Sequence, residues 1–541
     1  MKYSTAARRA CAFALLVCVP QVAGVAQAQP DSTTWYVSAA AGPGGTGTPD
    51  APFDTLAAVE AASRPGDTIV VQPVPTTVRA LDGGIALKPG QQLIGGGPEV
   101  IGAAADAALP RITNSTGDHD GDAVRLATGA QVRNLVIDGA RRGGIYGDDA
   151  ADAVITGNRV SATNQNCADG FMIGPFGLPP TIVAGLATDP MPDFITLNNG
   201  WAAIMTDFST ATGGVRIDGN IVHDTACGDG IDIRAHGSSR VTARVNGNTT
   251  RDINLGLAKL SVLAMGLQAG DDAQLTAELV GNSQFDIAPP SSPLNALADS
   301  EGVFINPLGR ARVEVRVDRD EFRDGHGNFS ANGLEYVTTS GTPESRVTVT
   351  DSTFDNVSGD VIENYNLSTG GARQSLTLDK VRARHSSFPG AVLNPPVPAN
   401  LGTCLVNTNF GRTAHTDLTV TDSEFGDCSA DGIGLVSYTP TGSGPATAEL
   451  VFDIRDSSIT GTAANGIAVI NVGDTAVVRG SITRTDISGA GRSLISTRNS
   501  GGNARPILEF GPGTLDGVAR DCLATADPRV DLSAIPGICR P

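Results

Sequence analysis

Hydrophobic and polar residues alternate in short runs along most of this chain. In VTARV at 241–245, VEVRV at 313–317 and VTVT at 347–350, valine alternates with threonine, arginine or glutamate. Such a period of two predicts β-strands with one buried face and one exposed face. Valine and threonine also suit pleated strands, and no long helical period follows the first hundred residues. The chain is therefore predicted to be all-β.

An Asn or Asp residue follows these runs at regular intervals. The copies are Asn158, Asn220, Asn248, Asn282, Asp320, Asp351, Asp379, Asp422, Asp456 and Asp486. Apart from the first gap, they lie 28 to 43 residues apart. Repeats of this length without a helical pattern indicate stacked structural repeats. We therefore predict one parallel β-helix domain of about ten or more rungs.

A glycine before an apolar strand provides a second repeated feature. It occurs in NGW at 199–201, DGI at 229–231, MGL at 265–267, EGV at 301–303, NGL at 332–334, DGI at 431–433 and NGI at 465–467. In five copies, the next Asn or Asp marker comes 16 to 20 residues after this glycine. The spacing from a marker to the following glycine is much less regular and varies from 10 to 42 residues. This asymmetry predicts a coil whose insertions all lie along one edge.

The segment WYVSAAAGPGGTGTPDAPFDTLAAVEAASRPGDTIVV at 35–71 resembles the N-terminal cap of pectin-lyase-like β-helix proteins. The resemblance extends over roughly residues 35–510 and implies a right-handed coil with a short capping helix, in which Leu56, Val59 and Ala62 face inward. Such a cap covers strand edges that would otherwise pair with another chain. Since lyases, hydrolases, epimerases and non-catalytic adhesins share this fold, the resemblance implies architecture rather than activity.

The N-terminal residues have the pattern of a cleaved secretory signal peptide. Lys2, Arg8 and Arg9 precede an apolar run, and AQA ends at Ala28. We therefore expect a secreted or periplasmic protein that is cleaved near Ala28. The predicted segments are the signal peptide at 1–28, the cap and first rungs at 29–110, the β-helix repeats at 111–515 and a disulfide-closed C-terminal tail at 516–541.

The charge of the chain limits its partners. Its net charge is −19, and cleavage after Ala28 would make it −22 because the leader contains three basic and no acidic residues. Binding to nucleic acid is excluded as the main function, since it depends on neutralising phosphates. No other apolar run reaches the length of about 20 residues that spans a membrane. We expect a monomer whose partner is a polysaccharide.

Six cysteines follow the predicted leader, and an even number in an exported protein favours disulfides. Two of them stand two residues before an Asp-Gly in neighbouring loops, and rungs stack at about 4.8 Å, close to the span of a disulfide. The predicted pairs are Cys167–Cys227, Cys404–Cys428 and Cys522–Cys539.

Three long, proline-rich insertions are predicted at 159–199, 283–301 and 380–402. Because they come from the same part of different rungs, they are expected to form walls along one edge. The first contains Phe176 and is followed by Trp201. Two interpretations remain open: these rings bind sugars, or they pin the loop to the coil.

Reactive side chains are most concentrated in IVHDTACGDGIDIRAHGSS at 221–239. Alternation there directs Asp232 and Arg234 outward together, with His236 at the strand end and His223 in the preceding turn. Abstraction of a proton beside a sugar carboxylate requires a base and a cation that stabilises the developing negative charge. The resemblance implies an Arg or Lys base, and only three lysines follow the leader. These four residues are therefore the predicted catalytic group.

Further residues are predicted to contact substrate because of their expected rung positions. They are Asp229, Glu335, Asn306, Asn364, Trp201 and Phe176. Gln268, Phe304 and Glu335 are expected in register with Asp232, whereas Asn306 and Asn364 are expected near the register of Arg234.

Two alternatives to this site remain open. Hydrolysis requires two carboxylates about 5–10 Å apart, and Glu335, three rungs from Asp232, is expected at about 14 Å, which is too far. The second alternative is structural, because Asp229 belongs to a turn series whose short polar side chains cap backbone groups.

No cofactor is certain from the sequence, and calcium is the candidate. Asp118, Asp120 and Asp122 have the alternating spacing of a calcium loop. Ala123 and Gly129 occupy the sixth and twelfth positions, where that loop requires a glycine and an acidic residue.

The favoured prediction is a carbohydrate-active enzyme that acts on an extended polysaccharide, foremost a polysaccharide lyase. The alternative from a different class is a non-catalytic surface or glycan-binding repeat protein.

Overall fold

The computed structural model describes residues 32–96, 109–170, 200–256, 259, 261–287, 299–327, 330–368, 370–387, 402–439, 447–473, 476–500, 507–511, 515–516 and 523–525. Several predictions lie outside these residues: the signal peptide, Phe176, the pair Cys522–Cys539, and most of the C-terminal tail. Residues 33–541 form one compact unit.

The strands form three long parallel sheets. Sheet 1 has 15 strands: Thr34–Val37, Thr68–Val71, Gln92–Gly95, Gln131–Arg133, Ala153–Thr156, Thr212–Asp218, Arg240–Asn246, Gln274–Val280, Arg312–Asp318, Glu344–Thr350, Arg373–Asp379, His415–Thr421, Glu449–Arg455, Val477–Thr483 and Ile507–Phe510. Sheet 2 has 13 strands: Arg111–Ile112, Val136–Asp138, Arg159–Ser161, Ile221–His223, Thr249–Ile253, Ser283–Ile287, Glu321–Gly325, Thr353–Val357, Arg382–Ser386, Glu424–Gly426, Ser458–Thr460, Asp486–Ser488 and Leu515–Asp516. Sheet 3 has 14 strands: Ile85–Ala86, Val124–Leu126, Ile145–Asp148, Ile204–Phe208, Ile231–Ala235, Ser261–Ala269, Asp299–Pro307, Ser330–Thr338, Ile362–Asn366, Leu405–Phe410, Ile433–Tyr438, Asn465–Val472, Ser493–Ser500 and Leu523–Thr525.

In each sheet the strands follow one another in chain order, and from Gln92–Gly95 onward each turn of the chain adds one strand to every sheet. The chain is a right-handed parallel β-helix, and the predicted fold is confirmed. Among the described residues no helix is long and apolar enough to cross a bilayer.

Apolar side chains stack in columns inside the coil. On sheet 3, for example, Ile231 pairs with Met265, which pairs with Val303, which pairs with Leu334. All four side chains are buried. Since each fully buried side chain of this size stabilises the fold by about 1.5–3 kcal/mol, these columns are a main source of stability.

Buried asparagines connect the rungs at the corner between sheets 1 and 2. The side-chain oxygen of Asn220 accepts from the backbone N–H of Asn158 at 3.0 Å, and Asn248 accepts from that of Asn220 at 2.9 Å. Asn282 and Asp320 continue the ladder. Each link satisfies a backbone donor that burial would otherwise leave unpaired.

The second half of the predicted marker series occupies different positions. Ser352 and Ser423 take the ladder position, and their hydroxyl oxygens accept from the N–H groups of Asp320 and Val381. Asp351 and Asp422 stand one residue earlier, with φ of 49° in both. The sequence pattern therefore combined two turn positions, because Asn and Asp suit both a buried acceptor and a left-handed turn.

Glycine is required at the corner between sheets 2 and 3. A Cβ added to Gly230 would lie 2.5 Å from the Ala264 oxygen, and one added to Gly466 would lie 2.6 Å from the Leu494 oxygen. Gly266 was predicted as a member of this series, but it is out of register with it, because it pairs with Asp232, two residues after Gly230.

The N-terminal helix Leu56–Ala62 begins after Thr55, whose hydroxyl accepts from the N–H of Ala58 at 3.2 Å. Leu56 and Val59 are buried in the main core. The predicted capping helix is confirmed.

Each predicted insertion leaves a strand of sheet 2 and enters a strand of sheet 3. The predicted boundaries include residues that the structure places in strands: Arg159–Ser161, Ser283–Ile287, Asp299–Pro307 and Arg382–Ser386.

Two of the predicted disulfides are present. Cys167 and Cys227 have a Cα–Cα distance of 5.1 Å, and Cys404 and Cys428 one of 5.6 Å. The first bond joins the segment after Arg159–Ser161 to the segment before Ile231–Ala235.

Candidate functional site

The outward face of sheet 3 carries two clusters of ionisable side chains. The first, here called the Arg234 cluster, consists of Tyr146, Asp207, Asp232, Arg234 and His236. The second, the acidic ladder, consists of Asp299, Glu301, Glu335, Asp360 and Glu363.

Adjacent rungs bring the Arg234 cluster together. Asp207 on Ile204–Phe208 pairs with Arg234 on Ile231–Ala235. Asp232 is two residues before Arg234 and points to the same face. It therefore lies beside the guanidinium, and the attraction between the two groups offsets only part of the effect of burial on their pKa values.

Burial opposes ionisation throughout this cluster. Desolvation raises the pKa of Asp232 to about 6, although Arg234 and Gln268 act in the opposite direction. Desolvation also raises the pKa of Asp207, against the nearby Arg234 and His236. The pKa of Arg234 falls to about 10, because the loss of water outweighs its two carboxylate neighbours. Arg234 therefore remains a cation at neutral pH.

His236 and Tyr146 form the accessible side of the cluster. Only 4% of Arg234 and none of Asp232 is exposed, whereas 32% of the His236 side chain is exposed and Tyr146 is half-buried. His236 Nε2 lies 3.2 Å from Asp207 Oδ1. If Nε2 carries the proton that Asp207 accepts, Nδ1 is left as the basic nitrogen. Burial raises the pKa of Tyr146 to about 12, so its hydroxyl is protonated at neutral pH.

Aromatic and basic groups border Tyr146. The Trp201 ring lies edge-on to it at 5.3 Å between centroids, and the Arg142 guanidinium lies 4.3 Å from the Trp201 centroid. Arg142 is held by Asp122, with nitrogen–oxygen distances of 2.8 and 2.6 Å. Trp201 is thus packed against the Arg234 cluster. This position is consistent with both predicted roles of its ring, binding sugars and pinning the loop to the coil.

In the predicted calcium loop at 118–122, two of the three carboxylates have arginine partners. Asp122 is buried, and both its oxygens accept from Arg142, with Arg125 Nε a further 3.1 Å partner. Asp120 also pairs with Arg125. These arginines supply the positive charge that a calcium ion would have provided.

Several register predictions require correction. Gln268 pairs with Arg234, and the residue that pairs with Asp232 is Gly266. Asn306 lies in the Arg234 column, but its amide donates to the Val337 carbonyl at 2.8 Å. Asn364 pairs with Tyr336 and is buried inside the coil, where it bonds to Asn407 and Gln374. Because successive residues of a strand face opposite sides, a shift of one residue moves Asn364 to the interior.

Two other predicted residues do not join the cluster. His223 lies on sheet 2, where it pairs in register with Arg251 and bonds to Asp224 at 2.6 Å. Asp229 is buried, and its carboxylate accepts from the N–H of Leu263 at 2.9 Å. Asp229 therefore caps a backbone N–H of the next rung. This is the role that the structural alternative predicted for the turn series to which Asp229 belongs.

Glu335 belongs to the acidic ladder. It pairs with Phe304 on one side and with Glu363 on the other, in the same outward column as Asp232. Asn332 Nδ2 donates to Glu363 at 3.0 Å and lies 3.5 Å from Glu335. Asp299, Glu301 and Glu335 each place one carboxylate oxygen within 4.8 Å of the others.

The ladder is buried and lacks a basic partner among the described residues. Desolvation raises the pKa of Asp299 to about 7, against hydrogen bonds from Glu301 and the Ser300 backbone. Desolvation and the nearby Asp299 raise the pKa of Glu335 to about 8. Desolvation also raises the pKa of Asp360 to about 7, and those of Glu301 and Glu363 well above the usual range. No Lys, Arg or His is among the main causes of these shifts.

Sequence reasoning missed Tyr146 and Asp207 in the first cluster and four members of the second. The available signal was the alternation in GIYGD, AIMTDF and VIENYN, which directs Tyr146, Asp207 and Glu363 outward. Strand register was also needed, because the two rungs of Tyr146 and Asp207 are separated by more than fifty residues of chain.

No protein-family model and no curated protein matches the chain. Among solved structures it is similar to a rhamnogalacturonan lyase (8% identity over 81% of this chain and 82% of that chain, TM-score 0.33). It is also similar to the catalytic unit of the thermostable GH87 α-1,3-glucanase from Streptomyces thermodiastaticus strain HF3-3 (14% identity, 92% and 71%, TM-score 0.31). A third similar structure is the A-module of the Azotobacter vinelandii mannuronan C-5 epimerase AlgE4 (10% identity, 87% and 94%, TM-score 0.31). With TM-scores of 0.31 to 0.33, these similarities give no argument about activity.

Proposed function

We propose that this protein cleaves an extended, uronate-containing polysaccharide by β-elimination at the Arg234 cluster. The observation that carries the proposal is the convergence of a buried cation, a carboxylate-held histidine and a protonated tyrosine on adjacent rungs of one sheet face. An open row of parallel strands suits an extended chain of sugars better than a small ligand.

Each group has a distinct role in this reaction. Arg234 pairs with the sugar carboxylate and stabilises the negative charge that develops on it. His236 Nδ1 takes the proton from the carbon beside that carboxylate. As the glycosidic carbon–oxygen bond breaks, a double bond forms in the sugar and Tyr146 donates its proton to the departing oxygen. Asp207 holds the imidazole through Nε2 and does not contact the substrate.

The reaction is tested with a panel of polysaccharides and the mature protein. Elimination creates one conjugated double bond for each new reducing end, so ultraviolet absorbance and reducing ends should rise together. Tyr146→Phe and His236→Gln should abolish both signals, whereas His415→Gln on sheet 1 should not. Reducing ends without new ultraviolet absorbance would show hydrolysis and contradict the proposal.

The second candidate function is non-catalytic glycan binding, and the burial of Asp232 and Arg234 favours it. The outward face of sheet 3 also carries a stacked aromatic pair, Phe410 and Tyr438, with centroids 4.6 Å apart and rings 7° from parallel. Binding to a polysaccharide without either product, in a folded protein, would establish this function. Tyr438→Ala should then weaken binding, because sugars stack on aromatic faces.

A further inference from the structure

The Cys167–Cys227 disulfide borders the Arg234 cluster, and the proposed elimination gives it no role. It joins two cysteines that are 60 positions apart in the chain, with a Cα–Cα distance of 5.1 Å. Cys227 precedes the strand that carries Arg234, and the loop that the bond closes includes Trp201 and Asp207. The bond therefore constrains the chain on both sides of the site.

The chain at Gly200 packs directly on the segment that carries Cys227. A Cβ added to Gly200 would lie 2.2 Å from the Cα of Gly228, and one added to Gly228 would lie 2.5 Å from the Cα of Gly200. Only two glycines allow the backbones to approach so closely. Because Trp201 follows Gly200, its position against Tyr146 depends on where Cys227 and Gly228 are held.

The two disulfides among the described residues differ in their surroundings. Cys404 and Cys428 are 0% and 2% exposed, and both belong to the main hydrophobic core. Cys167, in contrast, is partly exposed. Since a disulfide is reduced only when a thiolate reaches one of its sulfurs, a reductant in solution can attack Cys167 without opening the core.

We infer that the Cys167–Cys227 disulfide is a reducible clamp that holds Trp201 against the Arg234 cluster, and that a dithiol reductant weakens polysaccharide binding by opening it. The effect on the polysaccharide rests on the proposed function, whereas the clamp does not.

The reduction of this bond is an exchange with a dithiol. One thiolate of the reductant attacks the Cys167 sulfur, forms a mixed disulfide and releases the Cys227 sulfur as a thiolate. The second thiolate of the reductant then displaces the Cys167 sulfur. The dithiol is oxidised to its own disulfide, and the two cysteines take up the two protons that it has lost.

Non-covalent contacts hold the same segment, and they define the competing explanation. Asn164 Nδ2 donates to the Cys227 carbonyl at 2.6 Å. The Lys259 ammonium pairs with Asp169, which itself forms an antiparallel bridge with Gly200. The Asp169 side chain is 79% exposed, so water and salt weaken that ion pair. If these contacts suffice, reduction leaves the tryptophan in place.

Tryptophan fluorescence reports on the clamp, because the chain contains only two tryptophans. Trp35→Phe leaves Trp201 as the single one and keeps an aromatic ring against Phe53 in the cap. In this protein, treatment with dithiothreitol should move the Trp201 emission to longer wavelength and increase its quenching by acrylamide. The far-ultraviolet circular dichroism of the coil should not change.

Alkylation followed by mass spectrometry identifies the reduced cysteines. We expect Cys167 and Cys227 to react at dithiothreitol concentrations that leave Cys404 and Cys428 bonded. The KM for the polysaccharide should rise several-fold while kcat changes little, because the reacting groups of the Arg234 cluster stay on their own strands. Removal of the reductant and reoxidation should reverse both changes.

The double variant Cys167→Ser/Cys227→Ser, in the Trp35→Phe background, is the control. It lacks the clamp, so its Trp201 emission should already lie at longer wavelength and dithiothreitol should not move it further. If this variant does not fold, the reduced and reoxidised forms of the Trp35→Phe protein still provide the comparison.

Three results would overturn the inference. The first is full alkylation of Cys167 and Cys227 with unchanged Trp201 emission, and the second is equal reactivity of Cys404 and Cys428. The third is an emission shift without any rise in KM, which would leave a clamp without an effect on the substrate. Emission and alkylation do not require polysaccharide cleavage, so they test the clamp even if elimination is not observed.

Discussion

The Arg234 cluster and the acidic ladder lie on the same face of the same sheet, and the carboxyl groups of both are buried. They differ in charge composition. In the first, two carboxylates surround a guanidinium and a histidine, whereas in the second, five carboxyl groups face only amides and hydroxyls among the described residues. The pKa of Asp232 consequently rises only to about 6, while that of Glu335 rises to about 8.

This difference shows that burial alone does not determine the chemistry of the sheet face. Opposite charges on neighbouring rungs keep groups ionised and available for proton transfer. Like charges hold protons, or recruit a cation, and the ladder is therefore better suited to binding than to catalysis.

The largest effect is expected from removing the cation of the first cluster. Arg234→Ala should lower the rate of elimination by about 10²- to 10³-fold, the usual result of deleting a group that stabilises transition-state charge. Steady-state rates from ultraviolet absorbance measure the loss. Arg216→Ala, an exposed arginine on sheet 1, is the control and should retain the wild-type rate. An active Arg234→Ala protein would remove this cluster from the mechanism.

The acidic ladder should give the next largest effect, through pH. The pKa of Glu335 is about 8 in the folded chain and 4.5 ordinarily, so the folded state retains a proton that the unfolded state releases. The free energy of unfolding should therefore fall between pH 4.5 and about 8, by up to about 1.4 kcal/mol per pH unit for each such proton.

Urea denaturation at several pH values in chelator measures this slope, and Glu335→Gln should reduce it. If the variant and the wild-type protein show equal slopes, Glu335 is not protonated in the folded state.

A buried carboxyl outside both clusters, that of Asp320, has a pKa that is raised chiefly by burial and further by the nearby Asp318. Asp320 lies at the end of the asparagine ladder, and desolvation raises its pKa to about 7 although Asn282 donates to it. Its folded-state pKa is raised from 3.8, so stability is lost as pH rises from about 4 to about 7.

Asp320→Asn keeps the acceptor and removes the charge. It should stabilise the protein by about 1–3 kcal/mol at pH 8 and have little effect near pH 4. Denaturation at both pH values tests the difference. If Asp320→Asn is destabilised equally at both pH values, the loss of the second carboxylate oxygen as a hydrogen-bond acceptor, and not the loss of charge, determines the change in stability.

The smallest effect is expected from adding a methyl group at Gly266, next to the Asp232 carboxylate. A Cβ added to Gly266 would lie 2.5 Å from Asp232 Oδ1, so Gly266→Ala should displace the carboxylate and cost about 1–3 kcal/mol of stability. Gly434 occupies the same outward column, but its nearest neighbour would be 3.7 Å away. Gly434→Ala is therefore the matched control. Elimination rates should fall only for Gly266→Ala.

Much of the fold was predictable because its signals are local. Alternation identified the strands, the spacing of turns identified the repeat, and the segment at 35–71 identified the capping helix. Two cysteine pairs were predictable for a related reason, since rung spacing brings neighbouring loops within disulfide distance.

The candidate site was predicted only in part. Asp232, Arg234 and His236 come from one strand and its end, so alternation placed them correctly on one side of the coil. Their partners Tyr146 and Asp207 come from other rungs, and the intervening chain contains insertions of unequal length. His223 was assigned to the cluster because it is near in sequence, but it lies on sheet 2, before the corner that leads into sheet 3.

The sequence by itself determined that this chain would coil into parallel rungs, because period-two alternation and repeated turns act over a few residues. Only the tertiary structure decided which side chains meet. A shift of one residue in register turns a side chain from the outer face to the interior, as the positions of Asn306 and Asn364 show. The acidic ladder is likewise a product of register, because carboxylates more than thirty residues apart become neighbours when strands stack.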